Sequence, residues 1–239
     1  MSKHLKRLAV PRSWHIAKKT NTFTVKPRPG PHPVESSLPL GVLLRDYLKV
    51  CDTLDEAKNI ISAGHVLVDG AAAISYARGI GFMDTISIPK MEAHYRMLVD
   101  YHGRLSLQTI PAATAGWKLC RIEDKVTVSG GKTQLNLHDG RNIVVKDASA
   151  HKTGDVLKIK LPEQKVMEHF ALKAGAPVYV IGGSHTGRIA TLGERHVTKS
   201  PQPNLVEIKV GETPSSTVQD YVFVVGAAKP EVLAPEVNI

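Results

Sequence analysis

The chain is poor in the residues that build most recognisable sites. Its two cysteines, Cys51 and Cys120, stand far apart without C-x-x-C spacing. That excludes a zinc ribbon and a disulfide framework, and points to a reducing, cytosolic setting. Aromatic residues make up only 5% of the 239 positions, too few for a broad base-stacking platform. No run approaches the ~20 apolar residues of a membrane-spanning helix. Lys3, Lys6 and Arg7 open the chain as a secretory leader would. Where its apolar core should follow stand His15, Lys18 and Lys19, then Pro27, Pro29, Pro31 and Pro33. None of the eleven histidines falls in H-E-x-x-H spacing, so no metal or other cofactor is expected. Asp46, Asp52, Asp55 and Glu56 cluster within residues 46–56, but as helix caps and solvated faces with no nucleophile beside them. The sequence makes no case for an enzyme or a small-molecule substrate.

The most informative absence is of acidic side chains. The first 34 residues carry Lys3, Lys6, Arg7, Arg12, Lys18, Lys19, Lys26 and Arg28 and no Asp or Glu. The whole chain has a formal net charge of +9, so this arm supplies nearly all of it. A block so one-sided calls for a polyanion, and nucleic acid is the usual one. Eight phosphate contacts would give log K a slope against log salt of about −5 to −7, at ~0.7–0.9 per contact. Residues 1–38 read as an extended arm, with the alternating prolines of residues 27–33 forbidding helix. Leu5, Leu8 and Trp14 are too few for a core of their own, so the arm is expected to order on a partner.

Residues 39–90 read as a compact α+β module. Leu40, Leu43, Leu44, Tyr47 and Leu48 predict a helix over about 40–51. Arg45 and Lys49 would then be i,i+4 neighbours on its surface. Thr53-Leu54-Asp55-Glu56 is a capping-box signal opening a second helix, which stops near Gly64. His65 to Gly70 then reads as a strand closing in an Asp-Gly turn, and Thr85 to Ile88 as another strand. Residues 91–172 switch to period two, in Val126 and Val128, Leu135 and Leu137, and Leu157, Ile159 and Leu161. Gly130-Gly131, Asp139-Gly140 and Gly154-Asp155 punctuate them, predicting an antiparallel β domain. Residues 173–228 carry four short strand signals, at 178–181, 188–192, 205–210 and 221–225, that suit a small barrel. Residues 229–239 read as a loose tail. The expected fold class is therefore α+β and multidomain.

The densest motif is the run from Val178 to Ile189, in which an apolar strand feeds Gly182-Gly183-Ser184-His185-Thr186-Gly187 and a second strand leaves at Arg188. Gly187 is expected at positive φ. An exposed turn of this kind would present Ser184, His185, Thr186 and Arg188 to phosphate oxygens. A phosphate-binding Walker loop is excluded because Arg188-Ile189 follows Gly187, where Lys and Ser or Thr are required. A dinucleotide fingerprint lacks its βαβ setting, and Gly182 to Thr186 does not complete G-x-S-x-G. The competing reading is a plain tight hairpin.

Short pieces in order along the chain resemble one family. They run from Lys3-His4-Leu5-Lys6-Arg7-Leu8-Ala9-Val10-Pro11 and Trp14, through Gly30-Pro31-His32, Leu38-Pro39-Leu40 and Leu44-Arg45, to Gly81-Phe82-Met83-Asp84 with Ile86-Ser87-Ile88. Further on come Lys118-Leu119-Cys120, His138-Asp139-Gly140-Arg141, Asp155, Gly182-Gly183, Gly187-Arg188-Ile189 and Glu194-Arg195-His196. Together they resemble small-subunit ribosomal protein four of the archaeal and eukaryotic type. The resemblance implies an RNA-binding domain of the ribosomal-protein-four type over 39–90, a KOW motif over 174–207, binding to small-subunit rRNA beside neighbouring ribosomal proteins, and no enzymatic activity. It also implies a monomer within a cytoplasmic ribonucleoprotein particle, away from membranes. Arg45, Lys49 and Lys58 become expected phosphate contacts. Trp14 joins the eight arm cations, and His185, Arg188, Arg195 and His196 join from the KOW region, with Gly182, Gly183 and Gly187 shaping the turn. The chain departs from the family in ending on Glu231 and Glu236, and Ser129 to Thr133 matches it loosely. The rival readings are an RNA-modifying enzyme using the same module as an appendage, and a KOW-type transcription factor.

Overall fold

A computed structural model describes residues 4–145, 149–211 and 213–234. The protein is mostly β, with few and short helices. The chain divides into two compact units, and neither is continuous in sequence. One runs through Leu98 and regains Arg104–Lys118 and Leu161–Glu163; the other comprises Val99–Gly103, Leu119–Lys160 and the chain from Gln164 onward.

In the first unit the arm is part of the fold. Leu5–Lys6 pairs antiparallel with Phe23–Thr24. Trp14 is 3% exposed and its indole Nε1–H donates to Ser37 O at 2.7 Å. The backbone N–H of His15 donates to the Tyr47 hydroxyl at 2.7 Å. The expectation of an arm without a core therefore needs correction. Trp14, Val10 and Val25 have no core of their own, but they bury themselves in that of the unit.

Behind the arm, Ser37–Pro39 pairs with Gly79–Gly81. The expected helix over 40–51 is shorter and differently wound. An α-turn, Leu40–Val42, opens into a π-helical turn, Leu43–Tyr47, and Leu48 N–H reaches back to Leu43 O at 3.0 Å. Residues 37–44 are buried without a break, so this segment lies inside the core and has no solvated face to impose a 3.6-residue period. Lys49 follows at φ 51, past the helix end, so Arg45 and Lys49 are not stacked one turn apart. The second helix, Leu54–Ser62, has the expected box: Glu56 N–H donates to Thr53 Oγ1 and the Glu56 carboxylate accepts from Thr53 N–H. Gly64 ends it at φ 74. A five-stranded sheet then orders Ala71–Ala72, Leu67–Val68, Thr85–Ile88, Ala93–Val99 and Leu105–Thr109.

The second unit holds two further five-stranded sheets. In the middle one the long strand Trp117–Val128 lies between Lys132–Leu137 and Val156–Lys160, with Asn142–Val145 and Lys165–Phe170 at the edges. Cys120, Ile122, Leu135, Leu137, Leu157 and Ile159 form its core. Every second residue of each strand is enough to fill one face. Gly130 and Gly131, at φ 83 and 71, turn the first hairpin. The C-terminal sheet orders Thr213–Val218, Leu205–Val210, Ile189–His196, Pro177–Val180 and Val222–Val224. Thr213–Val218 is an edge strand that the sequence reading did not separate. Only its last residue is a large apolar one, and its side chains are exposed or half-buried.

Candidate nucleic-acid interface

The arm's cations fall into two groups. Lys6, Arg12, Lys18, Lys19 and Arg28 are exposed and Lys26 is half-buried. Lys3 lies outside the described residues. Arg7 is only 2% exposed. Its Nε–H donates to Ala17 O at 2.6 Å and an Nη group lies 3.3 Å from Asp46 Oδ1. Two expected RNA contacts are thereby corrected. Arg7 and Trp14 face the interior, because the arm folds back over the residues that satisfy them.

Two of the three expected cations of the helical module are also engaged within the fold. Arg45 lies 2.8 Å from the Asp46 carboxylate. Lys58 lies 2.7 Å from Asp55 and over the Tyr76 ring at 5.2 Å, and its bond to Asp55 raises its pKa. The Lys58–Asp55 pair is open to water and is therefore weak and exchangeable for a phosphate, whereas the Arg45–Asp46 pair is half-buried. Lys49 is exposed, held out by the left-handed backbone at the helix end.

The glycine turn is built as much for packing as for display. Gly187 has φ 77, and a Cβ there would fall 2.5 Å from the backbone of Asp100 and Tyr101. Gly182 lies against the Tyr221 ring, 2.7 Å from where its Cβ would be. Thr186 Oγ1 donates to Gly183 O at 2.6 Å and is buried. His185 Nε2 lies 3.0 Å from Ser215 Oγ. Tyr179, buried in the strand before the turn, donates its hydroxyl to Val99 O at 2.5 Å, and burial raises its pKa. Thus Ser184 and Arg188 are presented to solvent while Thr186 and Gly187 anchor the turn. Arg195 and His196 are exposed on the following strand, with His196 Nε2 3.2 Å from the Glu207 carboxylate.

The sequence reading missed a buried charge cluster in the first unit. The Lys118 ammonium donates to Asp69 Oδ2 at 2.9 Å and to Asp84 Oδ1 at 2.8 Å. Thr85 N–H donates to Asp69 Oδ1 at 3.0 Å, and Gly81 N–H to Asp84 Oδ2 at 3.0 Å. His32, from the proline-rich segment, places Nε2 3.1 Å from Asp84 Oδ2. Its ring fills the space a side chain on Gly81 would need, with a Cβ there 2.3 Å from His32 Cγ. Burial alone would push the Asp84 carboxyl up. The charges of Lys118 and His32 outweigh it and hold the group well below the ordinary carboxylate range. The available signal was Lys118 sitting inside the apolar run Trp117-Lys118-Leu119-Cys120.

One group could in principle hold a metal. Donor atoms of Cys120, His138 and Asp139 lie within 4.8 Å of one another. Each already has work in the fold. Asp139 accepts from the Arg141 backbone N–H at 3.2 Å and pairs with its guanidinium at 3.1 Å. His138 Nδ1 accepts from Arg121 N–H at 3.2 Å. The set therefore reads as the scaffold of the Asp139-Gly140 turn.

Comparison with known proteins agrees along almost the whole chain. A model of the ribosomal family S4e matches residues 91–166, and one of the RS4NT domain matches residues 1–35. The small ribosomal subunit protein eS4 of Methanothermobacter thermautotrophicus is 46% identical over 225 residues, covering 94% of this chain and 92% of the relative. That of Methanocella arvoryzae is 42% identical over 229 residues, covering 96% of each. The crystal structure of the 30S ribosomal protein S4e from Thermoplasma acidophilum superposes with a TM-score of 0.69 at 33% identity, over 81% of this chain and 96% of that one. Identity at this level, spread over nearly the full length of both partners, means that this chain belongs to the ribosomal S4e family.

Proposed function

We propose that this protein is a structural constituent of the small ribosomal subunit, where it binds ribosomal RNA and supports assembly and translation without catalysing a reaction. The observation that carries the reading is the end-to-end likeness to small ribosomal subunit protein eS4. That likeness supports placing it in the cytoplasmic ribosome, with rRNA and neighbouring ribosomal proteins as partners.

In this reading residues 39–90 act as an RNA-binding domain of the ribosomal-protein-four type, 91–172 as a central β domain and 173–228 as a KOW-containing small barrel. Residues 1–38 form a basic arm and 229–239 a tail. Lys6, Arg12, Lys18, Lys19, Lys26 and Arg28 neutralise phosphates from the arm, joined by Lys49, Arg45 and Lys58 and by Arg188, Arg195, His185 and His196. Supporting this, most of these side chains are exposed, and the carboxylates beside Lys58 and His196 are open to solvent. Residues 39–90 are slightly net negative in sequence, so the arm supplies most of the sequence-independent attraction while the modules fix position.

Co-sedimentation tests the reading. The tagged full chain should track the small subunit stoichiometrically through a salt gradient. Recovery chiefly with tRNA or with RNA polymerase would overturn it in favour of a modifying enzyme or a transcription factor.

A further inference from the structure

The second unit contains a cleft of about 830 Å³ between the end of the strand Lys165–Phe170, the turn that follows it and the loop after Val225. Its volume lies in the ~300–1,000 Å³ range of sites that enclose a small organic group. Three observations say what it suits. First, much of its lining is small, with Ala150, Ala171, Ala174, Gly175 and Ala227 among the residues around it, which leaves room for a planar group beside them. Second, two cations, Lys152 and Lys173, stand on its wall. Their side chains are exposed, and neither ammonium has a hydrogen bond or ion pair among the described residues. Third, the wall carries the His169 imidazole, which is fixed in orientation. Its Nε2 lies 2.8 Å from Asp155 Oδ2, and its ring meets that of His151 edge-on at 4.9 Å and 84°. The side chain remains 28% exposed.

Among the described residues, the one acidic side chain lining the cleft is turned inward. Asp155 is 3% exposed. It accepts from Lys152 N–H and Leu172 N–H at 2.9 Å each, besides facing His169. The charge left for a ligand is therefore that of the two lysines. Small apolar side chains, a clamped imidazole and two ammonium groups with no ion pair among the described residues match a nucleobase with its flanking phosphates. Unstacked bases in single-stranded RNA are held on aromatic and imidazole faces, and phosphates by lysine.

We propose that this cleft takes a splayed-out nucleotide of a single-stranded RNA segment, its base against the small alanine side chains beside His169 and its phosphates on Lys152 and Lys173. The inference rests on the ribosomal RNA reading above and deepens it, adding single-strand recognition at a place that neither the arm nor the glycine turn supplies. An acidic peptide would use the same lysines but gain little from the small apolar lining and the imidazole.

The test uses the full chain, a fluorescein-labelled oligouridylate and anisotropy titration. Ala174→Glu should fill the cleft, set a carboxylate against the phosphates and weaken oligouridylate binding by about fivefold or more, the effect of one like charge about 4 Å away in water. The double variant Lys152→Ser, Lys173→Ser leaves the cleft open. It should flatten the slope of log K against log salt by about 1.4, two phosphates at ~0.7 each for a single strand. It also decides the matter should the glutamate variant fail to fold. Unchanged oligouridylate affinity and salt slope in the folded variants would overturn the proposal. So would tighter binding of an oligoglutamate peptide than of oligouridylate by the wild-type chain. Whole small-subunit rRNA serves as the companion ligand. If the wild-type chain binds it while the cleft variants bind oligouridylate normally, the cleft proposal alone fails. If the wild-type chain binds neither RNA, the ribosomal reading fails with it.

Discussion

The Lys118 ammonium lies 2.8 Å from Asp84 Oδ1, and both side chains are shut away from solvent. Lys118 also holds Asp69, so one cation neutralises two buried carboxylates. Removing it strands both. Lys118→Met should cost about 3–5 kcal/mol, the usual penalty for breaking a buried ion pair from one side. Urea unfolding followed by circular dichroism measures it. A loss under about 1 kcal/mol would mean that water reaches the cluster in solution.

The same cluster sets an acid limit. Asp84 has a folded pKa well below its unfolded value of ~3.9. Its contribution is therefore complete above about pH 4 and is lost as the pH falls from there toward the folded pKa. Unfolding free energy measured between pH 6 and pH 2 should decline more steeply for the wild type than for Asp84→Asn. Parallel profiles would remove Asp84 as the titrating group.

Gly187 is constrained twice, by φ 77 and by the Asp100–Tyr101 backbone against it. Gly187→Ala should destabilise the protein by about 1–3 kcal/mol, from forced backbone geometry before any repacking. Gly130→Ala is the control. It has a positive φ as well, but nothing lies within 4 Å of its would-be Cβ, so it should cost only about 1 kcal/mol. Equal melting temperatures for the two variants would show that crowding at Gly187 has no energetic weight.

Deleting the arm would be a poor test of its charge, because Trp14 and His32 belong to the packed interior. Changing Lys6, Arg12, Lys18, Lys19 and Arg28 to Gln removes only exposed charge. The slope of log K for rRNA against log salt should shrink by about 3.5–4.5, at ~0.7–0.9 per phosphate contact. A slope that does not move would place the phosphate contacts elsewhere. Arg7→Gln should leave the slope unchanged and lower stability, since Arg7 is buried against Ala17 and Asp46.

What could be read from the sequence was what local chemistry decides. The Thr53–Glu56 box, the strand Leu205–Val210 and the left-handed turn at Gly187 depend on neighbours along the chain, and residue type reports them. Where burial is long-range, the reading went astray. Arg7 and Trp14 looked like contacts for a partner because no acidic or apolar residue near them in sequence explained them; Asp46 and Ser37 do so in space. The π-turn at Leu43–Tyr47 was invisible because the apolar spacing of Leu40, Leu43, Leu44, Tyr47 and Leu48 fits an α-helix equally well. Thr213–Val218 pairs through its backbone and leaves side chains of weak strand character. At the candidate interface, sequence found the cations but could not say which ones the fold had already engaged.

The interleaved course of the chain has a consequence for its making. The polypeptide passes between the two units at residues 98/99, 103/104, 118/119, 160/161 and 163/164. No single proteolytic cut can release either unit whole. During synthesis the first unit lacks Leu161–Glu163 until most of the second unit's middle sheet has left the ribosome. The N-terminal unit is therefore complete in sequence only once Glu163 has been made, unlike domains that emerge whole one after another. The basic arm is made long before the last piece of the unit it folds onto.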